Sequence, residues 1–239
     1  MRLRILSWNV RGINDRDKRK LIKNVIKTQK VDLVCLQETK IQEMTSGIMR
    51  SLRIGRCLEW GAGNSRGAVG RKEGVVVFWD NMVLQMAEME VGKYLVACHF
   101  KNCEDGFCWI FTGVYGPTVK LEGEDFLSEL GAIRGLWNEL WCVAGDFNMI
   151  RFPSERSRGG RLSSAMRRFS EVVQDLELRD LPLQGGLFTW SGGFNNWLKS
   201  KIDRFLISED WEVHFQGPFK LFWLSRFLIT FLFFLMGEG

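Results

Sequence analysis

Short apolar runs alternate along the chain with polar punctuation. "LRILSWNV" is a strand-like run that breaks at "RGIND", a stretch rich in turn formers. "KRKLIKNVIKTQK" follows, with Leu21, Ile22, Val25 and Ile26 at helical spacing and lysines on the other face. "VDLVCLQET" is a second buried strand, so the chain opens strand, helix, strand, the pattern of a βαβ-like layer. "GVVVFWD", "YLVACHF" and "CWIFTGVYGP" predict further strands of a sheet. "GEDFLSELGAIRGLWNEL" sets Phe126, Leu127, Leu130 and Ile133 on one helical face. "WCVAGDFNMI" is a buried strand ending at a polar cluster. "SSAMRRFSEVVQDLELRDL" is an amphipathic helix with Met166, Phe169, Val172 and Val173 inward, and "FTWS" and "KIDRFLIS" are late strands. Neither a repeat nor a linker interrupts this order. It predicts one α/β domain, a two-layer β-sandwich flanked by helices.

Composition narrows the picture only a little. A chain of 239 residues with 46% hydrophobic content buries a substantial core in one large or two small domains. A net charge of +5 permits a polyanionic partner without demanding one. Ten Trp and 18 Phe supply either a rich core or stacking surfaces for bases. Six cysteines (Cys35, Cys57, Cys98, Cys103, Cys108, Cys142) are scattered, and Met1 runs straight into "RLRILSWNV" without a signal peptide. Free thiols and a nuclear or cytoplasmic rather than secreted setting are the expectation. Cys103 and Cys108 flank "EDGF", which reads as a hairpin turn, and no second pair is spaced for zinc.

The chemistry concentrates at strand ends. Asn9 ends "SWN", Glu38 follows "CLQ", Tyr115 stands in "GVYGP", Asp146 and Asn148 in "AGDFNMI", and Asp203 in "SKIDRFL". If the segment stays extended, Asp146 and Asn148 face the same way while Phe147 points into the core. This set suits Mg²⁺-assisted attack on a phosphodiester, because Mg²⁺ takes oxygen ligands and only one or two carboxylates. Glu38 is the natural ligand with Asn9 beside it, and Asp146 and Asn148 complete the set offered to the metal. Mn²⁺ is an alternative ion. Asp146 is placed to accept a proton from water, and Asn148 and Tyr115 to donate hydrogen bonds to charge on the phosphate. Taken singly, "QE" is an ordinary solvated loop, "GDFN" a turn and Tyr115 a packing residue. The ordered set carries the weight.

In that order, "SWNVRG", "LVCLQETK", "GVYGP", "AGDFN", "FTWS" and "KIDRFL" resemble the endonuclease/exonuclease/phosphatase superfamily over roughly positions 3 to 215. "DRDKRKLIKNVIKTQKVDLVCLQETK" and "RGGRLSSAMRRFSEVVQDLELRDLPLQGGLFTWSGG" are most similar to the apurinic-type endonuclease domain of plant LINE retrotransposons. The resemblance implies a DNase I-like, four-layer α/β/β/α fold. It places Asn9 and Glu38 at the metal, Tyr115 at the scissile phosphate, and Asp146 and Asn148 at the water and phosphate. It makes Asp203 the orienter of a histidine and sets Trp190 on the DNA-side surface. It also implies DNA as partner, no small-molecule cofactor, and former fusion to a reverse transcriptase.

The match breaks at its end. The family closes with a Ser-Asp-His motif on its last core strand, and this chain has two histidines, neither in that context. His99 sits in "VACHFKN", and His214 in "DWEVHFQ" follows Asp203 too soon. The tail "LSRFLITFLFFLMGEG" stands where the motif is expected. Codons such as CTG ATC ACT TTC CTA TTC TTC TTG ATG GG encode Leu228 to Gly237. Read from a T ending the Phe227 codon, those bases give Ser-Asp-His-Phe-Pro-Ile-Leu-Leu-Asp-Gly, the expected ending. The expectation is a domain over 1–217 and an aberrant tail over 218–239, arising from a frameshift or misplaced exon edge between about Gly217 and Phe227. A membrane anchor is disfavoured, because Leu221 to Met236 falls short of about 20 apolar residues and contains Arg226. A strand in place of the family's last strand fits the β-formers of "LITFLFF" better.

"RFPSERSRGGRLSSAMRR" follows the catalytic strand. Arg156, Arg158 and Arg161, with Arg167 and Arg168, form either a phosphate-contacting loop or a solvated helix face. Arg66, Arg71 and Lys72 offer a second such loop. The functions compatible with this reading are a DNA endonuclease weakened by the missing motif, a phosphatase acting on inositol phosphates or lipids, and an inactive nucleic-acid-binding remnant.

Overall fold

Asp15 starts the first helix. Its carboxylate accepts from the Lys18 amide, and the chain leaves the helix at Lys30 in the left-handed conformation. Helix α1 (Arg16–Gln29) buries Ile22 and Ile26 and lies between two strands, β1 (Arg4–Asn9) and β2 (Leu33–Gln37), which pair in parallel. The expected strand–helix–strand opening is therefore present. The computed structural model describes residues 3–40, 46–52, 58–64, 74–184, 186–192, 197–215, 220–223 and 232–236.

Further along the chain come α2 (Ser46–Leu52), β3 (Leu58–Asn64), β4 (Gly74–Asp80), β5 (Leu84–Val91), β6 (Leu95–Asn102) and β7 (Cys108–Tyr115). They are followed by α3 (Gly123–Leu136), β8 (Leu140–Asp146), α4 (Ser164–Asp175), β9 (Leu178–Asp180), β10 (Leu183–Gln184) and β11 (Trp190–Gly192). The remainder is β12 (Leu198–Ser200), β13 (Asp203–Ser208), α5 (Trp211–His214), β14 (Lys220–Trp223) and β15 (Leu232–Met236). One sheet runs β10-β14-β15-β1-β2-β4-β3, the other β5-β6-β7-β8-β13-β9, and β11 and β12 form a separate hairpin.

The two sheets pack face to face. Ile5, Leu33, Cys35, Val77 and Trp79 of the first share a core with Val96, Phe100, Trp109, Phe111 and Phe205 of the second. Gly113 permits the approach, since a Cβ there would lie 2.5 Å from Cys35 Sγ. The outer face of the first sheet is covered by α1, through Ile22 and Ile26, and that of the second by α3 and α4. The layers are thus α/β/β/α, the DNase I-like arrangement. The inward residues of α3 (Phe126, Leu127, Leu130, Ile133) and of α4 (Met166, Phe169, Val172, Val173) are those the spacing predicts. Cys35, Cys98, Cys103, Cys108 and Cys142 are free thiols.

Some elements departed from expectation. β3 and β5 were not predicted. β5 has one residue buried and the rest exposed or nearly so, so its alternation is faint, as an edge strand allows. "FTWS" enters a strand only at Trp190. In the C-terminal run, β15 lies between β1 and β14, with Arg4 opposite Met236 and Trp8 opposite Leu232. Position 217, the expected domain boundary, lies outside the described residues. No helix among the described residues is long and apolar enough to cross a membrane.

Candidate active site

Three neighbouring strands of the second sheet end abreast. Tyr115 of β7 is in register with Asp146 of β8, and Asp203 of β13 is opposite the same Asp146. From the facing sheet, Asn9 ends β1 beside Gln37, and Glu38 is the next residue. Asn9 Nδ2 donates to Asp146 Oδ2 at 2.9 Å, which ties the two sheets together at the site. A cleft of about 640 Å³ opens here, lined by Asn9, Glu38, Tyr115, Asp146, Asn148 and Trp190 among others. Asp203 is buried behind them, and its amide donates to Thr189 Oγ1.

One expectation requires correction. The strand stops at Asp146, and Asn148 is not extended but left-handed, with φ 51°. Asn148 reaches the cleft because its amide donates to Asp146 Oδ1 at 2.9 Å, and its Nδ2 to the Gly116 carbonyl at 2.8 Å. Phe147 points inward as expected, packed between Phe126 and Phe169. Gly116 is required where it stands, since a Cβ would meet the Phe147 carbonyl oxygen at 2.1 Å.

Of six non-glycine residues with positive φ among those described, three line the cleft, Arg11 (47°), Glu38 (52°) and Asn148, and a fourth, Lys40 (55°), pairs with Glu38. Each such conformation costs on the order of 1–3 kcal/mol and persists only where the surroundings fix it. Here the loops after β1 and β2 are zipped together. Val10, Gly12 and Ile13 amides donate to the carbonyls of Gln37, Glu38 and Thr39 at 3.0, 2.6 and 3.0 Å.

The Asp146 and Asp203 carboxyls of the site are buried and crowded. Burial pushes the Asp146 carboxyl up to about 6; hydrogen bonds from Asn9 and the Asn148 amide oppose this, and Glu38 adds repulsion. Burial, then the Asp146 charge, raise Asp203 well above the usual carboxylate range. Lys40 Nζ pairs with Glu38 Oε1 at 2.8 Å, and the exposed Arg11, whose amide donates to Asn9 Oδ1, adds a second positive charge. Among the described residues no three His, Cys, Asp or Glu side chains make a metal cage. Mg²⁺ needs none, since it takes one or two carboxylates and keeps waters. Hard oxygen donors and crowded carboxylates fit such a cation at Glu38, with the Asn9 amide and Asp146 beside it.

Arg156 lies next to the cleft, with its Nη2 directed at the Arg161 carbonyl, and Arg158 and Arg161 are exposed. The loop is fastened to the β11–β12 hairpin by the Ser157 amide on the Lys199 carbonyl at 2.9 Å. Arg168 instead pairs with Glu124 at 3.1 Å. The loop with Arg66, Arg71 and Lys72 lies outside the described residues. Neither histidine borders the cleft. His99 faces Glu139 at 3.5 Å, and His214 stacks on Phe107 beside Asp105.

Sequence reasoning missed Arg11 and Lys40, although both sit inside the quoted motifs. It also missed Arg204, 1% exposed, which is held by Glu155 and Asp180 and also donates to the Lys201 carbonyl. A charge within the apolar run "IDRFLIS" was the available signal.

A mixed two-sheet sandwich with polar strand ends converging on one cleft defines a DNase I-like α/β scaffold. The chain belongs to the Endonuclease/Exonuclease/phosphatase family, which it matches over residues 6–225. Members of this family hydrolyse phosphate esters. Among solved structures, it is similar to the AP endonuclease LMAP from Leishmania major, at 14% identity and a TM-score of 0.73, covering 99% of this chain and 88% of that one. It is also similar to the endonuclease domain of TRAS1, a telomere-specific non-LTR retrotransposon, at 13% identity and a TM-score of 0.70, covering 98% of both chains. A mannosyl-6-phosphatase from Bacteroides thetaiotaomicron has a TM-score of 0.62 at 13% identity, covering 98% of both chains. No curated protein matches the sequence.

Proposed function

We propose that the chain is a Mg²⁺-dependent phosphodiester hydrolase acting on DNA, of retroelement origin, with its activity impaired by the missing closing motif. The observation that carries this reading is the placement of Tyr115, Asp146 and Asn148 in one cleft, facing Asn9 and Glu38 across it. Asp146, fixed by Asn9 and the Asn148 amide, accepts the proton of an attacking water. Tyr115 and Asn148 donate to the phosphoryl oxygens, and Arg11 adds positive charge at the same place. Glu38 and Asn9 would hold the metal, which supplies Lewis-acid polarisation of the phosphate and stabilisation of the leaving oxygen. Arg156, Arg158 and Arg161 contact DNA phosphates, and Trp190 lines the DNA side.

Support for DNA comes from the arginine loop fastened beside the cleft. Support for retroelement origin comes from the LINE-like motifs and the fold shared with the TRAS1 domain. Loss of one acid–base or electrostatic partner typically costs about 10²–10⁴ in rate. The chain lacks the histidine that Asp203 orients in the family, so weak nicking follows.

Nicking of supercoiled plasmid in Mg²⁺ tests this. Slow nicking at stoichiometric enzyme, abolished in Asp146→Ala, is expected. Fast nicking abolished by the same change would overturn the impairment, and nicking that survives it would overturn the site. The mannosyl-6-phosphatase neighbour favours a second reading, a phosphatase, and hydrolysis of inositol phosphates without nicking would establish that alternative.

A further inference from the structure

A second pocket adjoins the catalytic cleft and shares Thr118 and Asn148 with it. It has a volume of about 360 Å³ and is formed by the segment after β7, the segment after β8 and the start of α4. Its lining combines apolar side chains, Val119, Met149, Ile150 and Met166, with polar and basic ones, Lys120, Arg156 and the first serines of the α4 turn. Lys120 is exposed, and Arg156 has a buried Nε without an acceptor among the described residues. Ser163 caps α4 by accepting from the Met166 amide at 3.3 Å, which fixes the wall that carries Met166.

From this geometry we infer that the pocket seats one nucleotide unit next to the scissile phosphate, its sugar and base on the methionine wall and its phosphate on Lys120 and Arg156. The inference rests on the phosphodiesterase reading above and names a substrate subsite for it. The volume decides between ligands. It is within the range of small-molecule sites and exceeds what a lone phosphate fills. An apolar wall gives a phosphate nothing to bind, and the cation pair is matched most directly by a phosphate, so a ligand with both an apolar and an anionic part matches the lining. Because Asn148 borders both cavities, a nucleotide held here presents its adjoining phosphodiester to Tyr115 and Asp146.

The test is NMR of protein labelled at the methionine methyl groups, in Ca²⁺, titrated with thymidine 3′,5′-bisphosphate, thymidine and inorganic phosphate. Met149→Leu and Met166→Leu assign the two resonances. The bisphosphate should shift both methyls, and thymidine or phosphate alone should bind about tenfold or more weakly. Lys120→Ala, at an exposed position, should weaken the bisphosphate by about threefold or more and leave the free spectrum unchanged. Unmoved methyls, or inorganic phosphate binding as tightly as the bisphosphate, would overturn the subsite. Plasmid binding and nicking on the same samples separate the two claims. Shifted methyls without plasmid binding keep the pocket and remove DNA as substrate. Plasmid nicking with unmoved methyls does the reverse.

Discussion

At the residue scale, two carboxyls, Asp146 buried and Asp32 half-buried, make opposite demands on pH. Asp146 must be ionised to take a proton, and burial raises it to about 6. The acid limb of kcat/KM should therefore fall near pH 6 at low metal and move to lower pH as Mg²⁺ is raised, because a nearby cation favours the charged form. A limb that ignores metal concentration would contradict the assignment of base and metal to one cleft. Asp32 is remote from the cleft. Burial lifts its carboxyl to about 6, the Arg4 amide hydrogen bond opposes this, and Asp80 adds repulsion. The folded group holds its proton to a higher pH than the unfolded one. Its contribution to folding is thus fully present below about pH 4 and lost as pH rises through 6. Asp32→Asn keeps an acceptor for the Arg4 amide and removes the charge. It should be more stable than the parent above pH 6 by about 1–2 kcal/mol after allowance for partial exposure, with no gain at pH 4, by urea denaturation. An equal effect at both pH values would refute it.

At the element scale, the site depends on how strand ends are held. Phe147 is fully buried between two phenylalanines and lies between the two site residues it positions. Phe147→Ala should cost about 3–5 kcal/mol and reduce nicking in the fraction that remains folded. Arg204 is a different kind of anchor. Removing it by Arg204→Met leaves Glu155 and Asp180 without their buried partner, and should cost about 3–5 kcal/mol in chemical denaturation; a loss below about 1 kcal/mol would show the pair to be solvated. These elements also show what the sequence made legible. The faces of α3 and α4 were readable because burial at helical spacing leaves an unambiguous period. The edge strand β5 was not, since an exposed edge does not need alternation. Asn9, Glu38, Tyr115, Asp146, Asn148 and Trp190 were all named from motifs and do share one cleft. The left-handed turn at Asn148 was hidden, because extended and turned backbones can both place an amide at a strand end. Arg204 was hidden for another reason: its partners Glu155 and Asp180 are brought to it only by the fold.

At the scale of the whole molecule, the C-terminal run is the part with most consequence. β15 is hydrogen-bonded between β14 and β1, and β1 carries Asn9 at its end. Read in the other frame, the residues just before this strand would be Ser-Asp-His. On the proposed reading, β15 occupies the sheet position between β1 and β14 while the catalytic histidine of the ending is missing. The nucleotide sequence bears on this directly: a Phe227 codon that does not end in T, or a Leu228 codon that begins with TT, would rule out the shifted frame. The most direct measurement is plasmid nicking in Mg²⁺ by three proteins: the chain as it stands, its Asp146→Ala variant, and a version with residues 228–237 replaced by Ser-Asp-His-Phe-Pro-Ile-Leu-Leu-Asp-Gly. The account predicts slow nicking by the first, none by the second, and a gain of about 10²-fold or more in the third. Equal rates for the first and third, or undiminished nicking by the second, would contradict it.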